Sequence, residues 1–186
     1  MPNMILVTGA SAVGKTTLIN HSVAAHDARR LSAVTTRTAR CHEGEPHRTV
    51  TRTAFDALRA SGGLVLASCN HGEWYGYSTS DFEANDERPV LIEVDFDTAL
   101  RERDAGQFSQ VILVIPGPHV RMETLIAIKG DGVESRVAEY LRLTSDGVVD
   151  AATQRGWIVF QNNHDDESVA RFLSTVRRTA AGGVAG

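Results

Sequence analysis

Short apolar runs alternate with amphipathic stretches along most of the chain. The apolar runs lie at residues 4–9, 30–36, 63–68, 88–96, 109–117 and 157–162. Two of them, 88–96 and 109–117, are almost uninterrupted and rich in β-branched residues, which is typical of strands buried on both faces of a parallel sheet. Apolar residues recur at helical spacing over residues 16–26, 53–62, 134–143 and 166–179. This alternation predicts a doubly wound α/β domain with a mainly parallel sheet.

Capping signals mark the ends of two of these helices. The second helical stretch ends in Gly62 and Gly63, and glycine commonly ends a helix. Asp165 or Asp166 is suited to cap the start of the last helix. Beyond that helix, the glycine- and alanine-rich segment 180–186 predicts a disordered tail. We therefore expect a single domain over residues 1–179.

The composition is that of an ordinary globular protein. Of the 186 residues, 42% are hydrophobic and 23% are charged. The net charge of -4 argues against binding nucleic acid through bulk charge. No apolar run approaches the roughly 18 residues of a membrane helix, and Cys41 and Cys69 lack a metal-binding spacing. We expect free thiols, a cytoplasmic location and no nucleic-acid or membrane partner; whether the chain is a monomer or a homodimer stays open.

The segment GASAVGKTT fits the P-loop pattern G-x-x-x-x-G-K-[ST], between an apolar strand and a helical stretch. Its glycines let the backbone curl so that several N–H groups bind phosphate oxygens at a helix N-terminus. Lys15 is expected to reach the β- and γ-phosphates of ATP and to act in catalysis, and the Thr16 hydroxyl to bind Mg²⁺. The predicted ATP-binding residues are Gly9, Ala10, Ser11, Ala12, Val13, Gly14, Lys15, Thr16 and Thr17.

A P-loop protein also needs an acidic side chain near the metal, at the end of a neighbouring strand. The stretch VLIEVDF offers Glu93 and Asp95, which would share one face of a strand because side chains alternate along it. We expect Asp95, at the end of the strand, to organise Mg²⁺ or its waters. A helix cap is the structural alternative for this carboxylate.

Two arginines close the strand-like stretch SAVTTRTAR, which contains no acidic residue to pair with them. Guanidinium groups bind phosphate oxygens in a bidentate manner, so Arg37 and Arg40 are candidates for a second phosphate site. The elements VTTRTAR, EGE, HGEWYG and LIEVD, in this order and spacing, resemble the guanylate kinase family over residues 4 to about 173. The resemblance implies a three-layer P-loop fold with a small acceptor-binding insertion at about 32–88 and a short lid at about 121–142.

The acceptor residues of that family can be carried over by position. The resemblance implies that Arg37, Arg40 and Tyr75 bind the phosphate of an acceptor monophosphate, with His47 in place of a second tyrosine. A phenol adds a neutral donor to the two guanidinium groups. The resemblance also implies an asparagine contact with the ATP base, for which we select Asn163, with Asn162 as the alternative.

The predicted lid is poorer in arginine than the family pattern. Lys129 and Arg136 are the nearest equivalents of the arginines that neutralise the transferred phosphoryl group, and one expected arginine falls on Leu125. Such a lid is compatible with a slow enzyme, or with a binding module of the same fold that has lost catalysis. Retention of Lys15 and Thr16 favours an enzyme.

The positions that read guanine in the family differ in this chain. Aligned by eye, a serine, a glutamate and a small hydroxyl residue become Ala33, Leu66 and Tyr77, whereas the acidic Asp95 is retained. His71 is expected to line the same acceptor pocket. Lost polar partners can change selectivity by orders of magnitude. A shifted register could supply the missing groups from Ser68, Asn70, Ser78 or Thr79.

Together these residues predict an ATP- and Mg²⁺-dependent phosphotransferase that acts on a small-molecule phosphate monoester. A nucleoside monophosphate other than GMP, or a nucleotide-like metabolite, is the first choice of acceptor. GMP is the second. Ribose 1,5-bisphosphate is the third, because the EPH sequence at residues 45–47 resembles ribose 1,5-bisphosphate phosphokinases on the same fold.

Overall fold

The computed structural model describes residues 3–38, 47–70, 72–82, 86–104, 108, 110–122, 126 and 133–182. Contacts divide the chain into two compact units. The P-loop unit comprises Asn3–Arg30 and Arg88–Gly186, and the inserted unit comprises Leu31–Glu87. The sequence-based expectation for the insertion was about 32–88.

A five-stranded parallel sheet forms the centre of the P-loop unit. Its strands are β1 (Met4–Thr8), β2 (Arg29–Arg30), β7 (Val90–Glu93), β8 (Gln110–Pro116) and β9 (Ile158–Asn162), in the order β2-β7-β1-β8-β9. Strand β1 lies between β7 and β8 and is parallel to both. The carboxyl ends of the three strands therefore meet at one edge, where ligands bind in sheets of this kind.

The helices of this unit cover the sheet with their apolar faces. They are α1 (Lys15–Ala24), α3 (Phe96–Asp104), α4 (Val133–Leu143), α5 (Asp146–Gln154) and α6 (Asp166–Gly182). Leu18 and Ile19 of α1 and Phe172 of α6 are fully buried in one cluster with strand residues. Each such side chain stabilises the fold by about 1.5–3 kcal/mol relative to an exposed one. Within the described ranges, no helix combines the length and the hydropathy needed to cross a membrane.

The inserted unit has its own sheet and its own core. Its elements are β3 (Ala33–Thr35), β4 (Arg48–Thr49), α2 (Arg52–Ala60), β5 (Leu64–Asn70) and β6 (Glu73–Ser78), with strand order β4-β3-β6-β5. Helix α2 begins where the Thr51 hydroxyl accepts the Ala54 N–H at 3.2 Å and ends before Gly62, whose φ is 72°. Val34, Phe55 and Leu64 form the buried cluster beneath the helix.

The predicted fold class, an α/β protein with a mainly parallel sheet, is confirmed, but some element boundaries were wrong. Residues 30–36 do not form one strand: β2 pairs with β7 in the large sheet, whereas β3 pairs with β4 and β6 in the small one. Strand β6 and helix α5 were not predicted at all.

The last helix is longer than predicted. It continues to Gly182, so residues 180–182, which were assigned to a disordered tail, are helical. The Asn3 side-chain amide donates to the carbonyl oxygens of Thr179 and Ala180 at 3.3 and 3.2 Å. These bonds satisfy carbonyl groups that would otherwise lack a partner near a helix end. Their donor, Asn3, lies more than 170 residues away in the sequence.

Candidate active site

The loop between β1 and α1 has the backbone geometry of a phosphate-binding nest. Gly9, Ala12 and Gly14 have φ angles of 141°, 67° and 89°. At Gly9 a Cβ atom would overlap the backbone carbonyl of Val114, so β8 leaves space only for glycine. Gly14 precedes α1 without a side-chain cap. The N–H groups of the first helical turn are therefore open to an anion.

Asn162, at the end of β9, supports the loop between β1 and α1 through its side chain. Its side-chain amide donates to the Val13 carbonyl oxygen at 2.8 Å, and its Oδ1 atom accepts the His164 N–H at 3.0 Å. The side chain is buried, which fits a structural role better than contact with a nucleotide base. Asn163, selected from the sequence for the ATP base, uses its backbone N–H to bind the Ser168 hydroxyl at 3.0 Å; its contact with a base stays a prediction.

Lys15 folds back over the loop. Its ammonium group donates to the carbonyl oxygens of Gly9 and Ala10, both at 2.9 Å. Glu93 lies beside it, with 3.7 Å between Lys15 Nζ and Glu93 Oε1. The Thr16 hydroxyl donates to Glu93 Oε2 at 2.9 Å. The P-loop lysine, the P-loop hydroxyl and a carboxylate at the end of β7 thus form one cluster.

The position of Asp95 differs from the sequence-based interpretation. Strand β7 ends at Glu93, and the Asp95 carboxylate accepts the backbone N–H of Thr98 at 2.8 Å and its hydroxyl at 2.7 Å. Asp95 therefore caps helix α3, the alternative that the sequence had left open, while Glu93 is the carboxylate in contact with Thr16. The chain leaves strand β7 two residues before Asp95, and a role of Asp95 at Mg²⁺ stays a prediction.

Exchange of Glu93 for glutamine is expected to lower kcat by about 10- to 100-fold and to raise the Mg²⁺ concentration required, because a charged oxygen beside Thr16 is lost. Asp95→Asn is the matched comparison. Asparagine caps helices about as well as aspartate, so this variant loses mainly the acceptor of the Thr98 hydroxyl, and its free energy of unfolding is expected to fall by less than about 1.5 kcal/mol. Initial rates in a Mg²⁺ titration and urea denaturation of both variants test this. A larger Mg²⁺ effect in Asp95→Asn would restore the original assignment.

Helix α4 brings two charged side chains to the P-loop. The Arg136 guanidinium donates from Nη1 to the Ser11 hydroxyl, and the Ser11 N–H donates to Glu139 Oε2 at 3.2 Å. Arg136 thus lies beside the loop, and its role in neutralising a transferred phosphoryl group stays a prediction. The sequence-based analysis missed Glu139, although its spacing of three residues from Arg136 places both on one face of a helix. Lys129 lies outside the described residues.

Strand β6 of the inserted unit separates two sets of side chains. Trp74 packs on Phe55 beneath α2, with ring centroids 5.9 Å apart. Side chains alternate along a strand, so Glu73, Tyr75 and Tyr77 lie on the opposite face. On that face Tyr75 is approached by His47, with ring centroids 6.4 Å apart. Arg40 and His71, predicted near this face, lie outside the described residues.

Arg37 completes a polar cluster on the same face. Its guanidinium group lies next to the Tyr75 phenol. Burial raises the pKa of the Tyr75 phenol, and the neighbouring Arg37 charge acts in the opposite direction. The phenol therefore keeps its proton at neutral pH and is available as a donor. Arg37 Nη2 is buried and has no hydrogen-bond partner within the described part of the chain, which is costly for a charged group unless an anion binds there.

The positions aligned with the guanine-reading residues are buried or apolar. Ala33 pairs with Tyr77 across the sheet, and the exposed fractions of Ala33, Leu66 and Tyr77 are 2%, 7% and 6%. Leu66 has a φ of 55° and lies where the register shifts between Val65 and Ser68.

The register shift in β5 moves two polar side chains onto the Tyr75 face. Ser68 lies directly opposite Tyr75, and Asn70 lies opposite Glu73. Residues opposite each other in an antiparallel pair share one face of the sheet. Ser78, by contrast, follows Tyr77 on the other face, where its hydroxyl is 2.9 Å from that of Ser80.

Comparison with known proteins identifies relatives over most of the chain. A guanylate kinase from Parasynechococcus marenigrum (strain WH8102) is 30% identical over 161 residues, which cover 81% of this chain and 88% of the relative. A guanylate kinase from Neisseria gonorrhoeae (strain ATCC 700825 / FA 1090) is 30% identical over 148 residues, covering 76% and 71% of the two chains.

The fold is also that of a solved structure. A guanylate kinase from Anaplasma phagocytophilum superimposes with a TM-score of 0.68 over 95% of this chain and 85% of that chain, at 20% sequence identity. No protein-family model matches the sequence. At the level of identity and coverage found for the first two relatives, the chain belongs to the guanylate kinase family.

Proposed function

We propose that the protein transfers the γ-phosphate of ATP, bound with Mg²⁺, to a nucleoside monophosphate or a nucleotide-like metabolite, with a base specificity altered from that of its relatives. Family membership makes it a phosphotransferase of the nucleoside-monophosphate-kinase type. The observation that carries the proposal is the buried Nη2 atom of Arg37 next to the Tyr75 phenol, for which the described part of the chain provides no hydrogen-bond partner. A phosphate monoester supplies the oxygen atoms that such a pair of donors requires.

The donor side of the reaction is assigned to the P-loop unit. The open N–H groups at the start of α1 bind phosphate oxygens, and Lys15 exchanges its carbonyl contacts for the β- and γ-phosphates. Thr16 and Glu93 would hold Mg²⁺, because their hydroxyl and carboxylate oxygens are hard ligands that suit this ion. When bound, Mg²⁺ neutralises charge on the transferred group.

The chemistry requires positioning and charge neutralisation rather than a strong base. An oxygen of the acceptor phosphate attacks the γ-phosphorus in line as the bond to the β-phosphate oxygen breaks and ADP leaves. The attacking oxygen is already anionic, so no proton has to be removed first. Lys15 and Arg136 stabilise the charge that develops on the transferred group. Arg37 and Tyr75 hold the acceptor phosphate.

The altered specificity rests on the buried apolar positions of the inserted unit. Ala33 and Leu66 carry no polar group on their side chains to pair with a guanine edge, and Tyr77 is almost fully buried. A base whose polar edge meets such positions leaves its donors and acceptors unpaired, which costs about 1–3 kcal/mol for each group. An acceptor that presents a smaller or less polar group to Ala33, Leu66 and Tyr77 leaves fewer polar groups unpaired and does not incur this free-energy cost.

GMP remains the second candidate, favoured by the names of the relatives and by Ser68 and Asn70 on the Tyr75 face. These side chains offer a hydroxyl and an amide in place of the lost groups. Ribose 1,5-bisphosphate is a further candidate, as is a binding module with weak catalysis. The presence of Lys15 and Thr16 in contact with Glu93 favours a working donor site over the binding module.

ATP consumption with Mg²⁺ against a panel of acceptors is the deciding experiment. The panel holds the common ribo- and deoxyribonucleoside monophosphates, ribose 1,5-bisphosphate and several sugar phosphates. We expect an acceptor other than GMP to give the highest kcat/KM. The highest value for GMP would show that other residues, with Ser68 and Asn70 first among them, read guanine. ATP binding without turnover of any acceptor would favour the binding module.

A further inference from the structure

A carboxylate occupies one of the N–H donors of the P-loop. Glu139 Oε2 lies 3.2 Å from the backbone nitrogen of Ser11, the third residue of the loop pattern. Carboxylate and phosphate oxygens are acceptors of the same kind, and both are favoured where backbone N–H groups converge. Glu139 therefore binds the loop as an anionic ligand would, although it is a side chain of the protein.

The contact is one half of a two-point attachment. Arg136, on the same face of α4, donates to the Ser11 hydroxyl, so a single loop residue holds both side chains. The two charges have opposite consequences for an incoming nucleotide. Arg136 attracts the phosphates of ATP, whereas Glu139 repels them and takes up one N–H group of the loop.

We propose that Glu139 competes with the donor nucleotide for the P-loop and thereby sets its affinity for ATP. In the absence of nucleotide the carboxylate satisfies the Ser11 N–H. On binding, the phosphates displace it from the Ser11 N–H, and the negative charge left nearby lowers their affinity. Arg136 keeps its attraction for the phosphates throughout. This inference rests on the proposed binding of ATP at the P-loop, and it adds a residue outside the loop that determines how tightly ATP is held.

Replacement of Glu139 by glutamine separates its charge from its hydrogen bond. Glutamine keeps an oxygen that can accept the Ser11 N–H but carries no charge. The dissociation constant of ATP·Mg²⁺, measured by calorimetry without any acceptor, is expected to fall about tenfold in Glu139→Gln. Glu134→Gln is the matched control, because Glu134 lies on the same helix and is exposed; its ATP affinity is expected to stay within about twofold of the wild type.

The salt dependence of the ATP dissociation constants distinguishes competition by the Glu139 charge from a purely structural role of Glu139 in supporting the loop. The ratio between the wild-type and Glu139→Gln dissociation constants is expected to shrink between about 0.05 M and about 0.5 M KCl, since salt screens the repulsion. Unchanged or weaker ATP binding by Glu139→Gln would overturn the inference while leaving the donor site intact. Failure of ATP to bind either protein would overturn the donor site as well.

Discussion

Exchange of Lys15 for methionine is expected to lower kcat for phosphoryl transfer by about a thousandfold. The methionine side chain has a similar length but cannot donate a hydrogen bond or carry charge. Lys15 donates to the carbonyl oxygens of Gly9 and Ala10, so its ammonium group lies over the loop proposed to bind the phosphates. Loss of one positioned donor to the developing charge typically costs 10²–10³ in rate, and Lys15 adds a full positive charge to that donor.

Steady-state rates with the best acceptor measure the effect, and thermal unfolding separates it from loss of structure. Arg155→Met is a suitable control, because Arg155 is an exposed cation at the end of α5 whose guanidinium donates to the Ala151 carbonyl oxygen at 3.3 Å. Its kcat is expected to stay close to that of the wild type. Transfer activity that survives in Lys15→Met would refute the assignment of the donor site.

Exchange of Arg37 for alanine is expected to reduce kcat/KM for the acceptor by about 10²–10³-fold. Two charge-assisted hydrogen bonds to a phosphate, each contributing about 1.5–2 kcal/mol, account for a loss of this size. The affinity for ATP·Mg²⁺ is expected to change little, because Arg37 belongs to the inserted unit and the nucleotide binds on the P-loop. Measured separately, KM for the acceptor and the dissociation constant for ATP show which substrate Arg37 holds.

Arg48 offers a matched control for this substitution. It is exposed and lies opposite Val34 in the sheet. Val34 belongs to the core beneath α2, so Arg48 is on the face away from Tyr75. Arg48→Ala removes the same charge from the same unit and is expected to leave kcat/KM within about threefold. Equal losses in the two variants would point to net charge rather than to a phosphate site at Arg37.

Local patterns were sufficient to predict the donor loop and the parallel sheet. Glycine spacing determines the turn at residues 9–14, and the apolar, β-branched runs at 4–9, 88–96 and 109–117 indicate the buried strands β1, β7 and β8. Which carboxylate approaches Thr16 depends on where β7 ends, and the apolar pattern continues past Glu93 to Phe96 without marking that end. The difference between Glu93 and Asp95 is therefore decided by the capping of α3.

Long-range contacts were the part that periodicity could not predict. Asn162 supports the P-loop across 149 residues of sequence, and Glu139 reaches Ser11 across 128. Glu139 is part of no recognisable motif at its own position, and Asn162 was considered only as an alternative contact for the ATP base. Strand β6 was treated only as a binding motif, since Gly76 and the aromatic residues around it obscure the alternation. Its partners β3 and β5 determine that it is a strand.

The inserted unit has a small hydrophobic core. Phe55 is its one large side chain with no exposure among the described residues, and Val34 and Leu64 complete the cluster. Packing on this scale opposes the conformational entropy of ordering the segment only weakly. Regions with few buried apolar contacts open locally far more often than a central sheet does. Part of the binding free energy of the proposed acceptor is then used to keep the inserted unit folded. The measured affinity for the acceptor therefore understates the strength of its individual contacts.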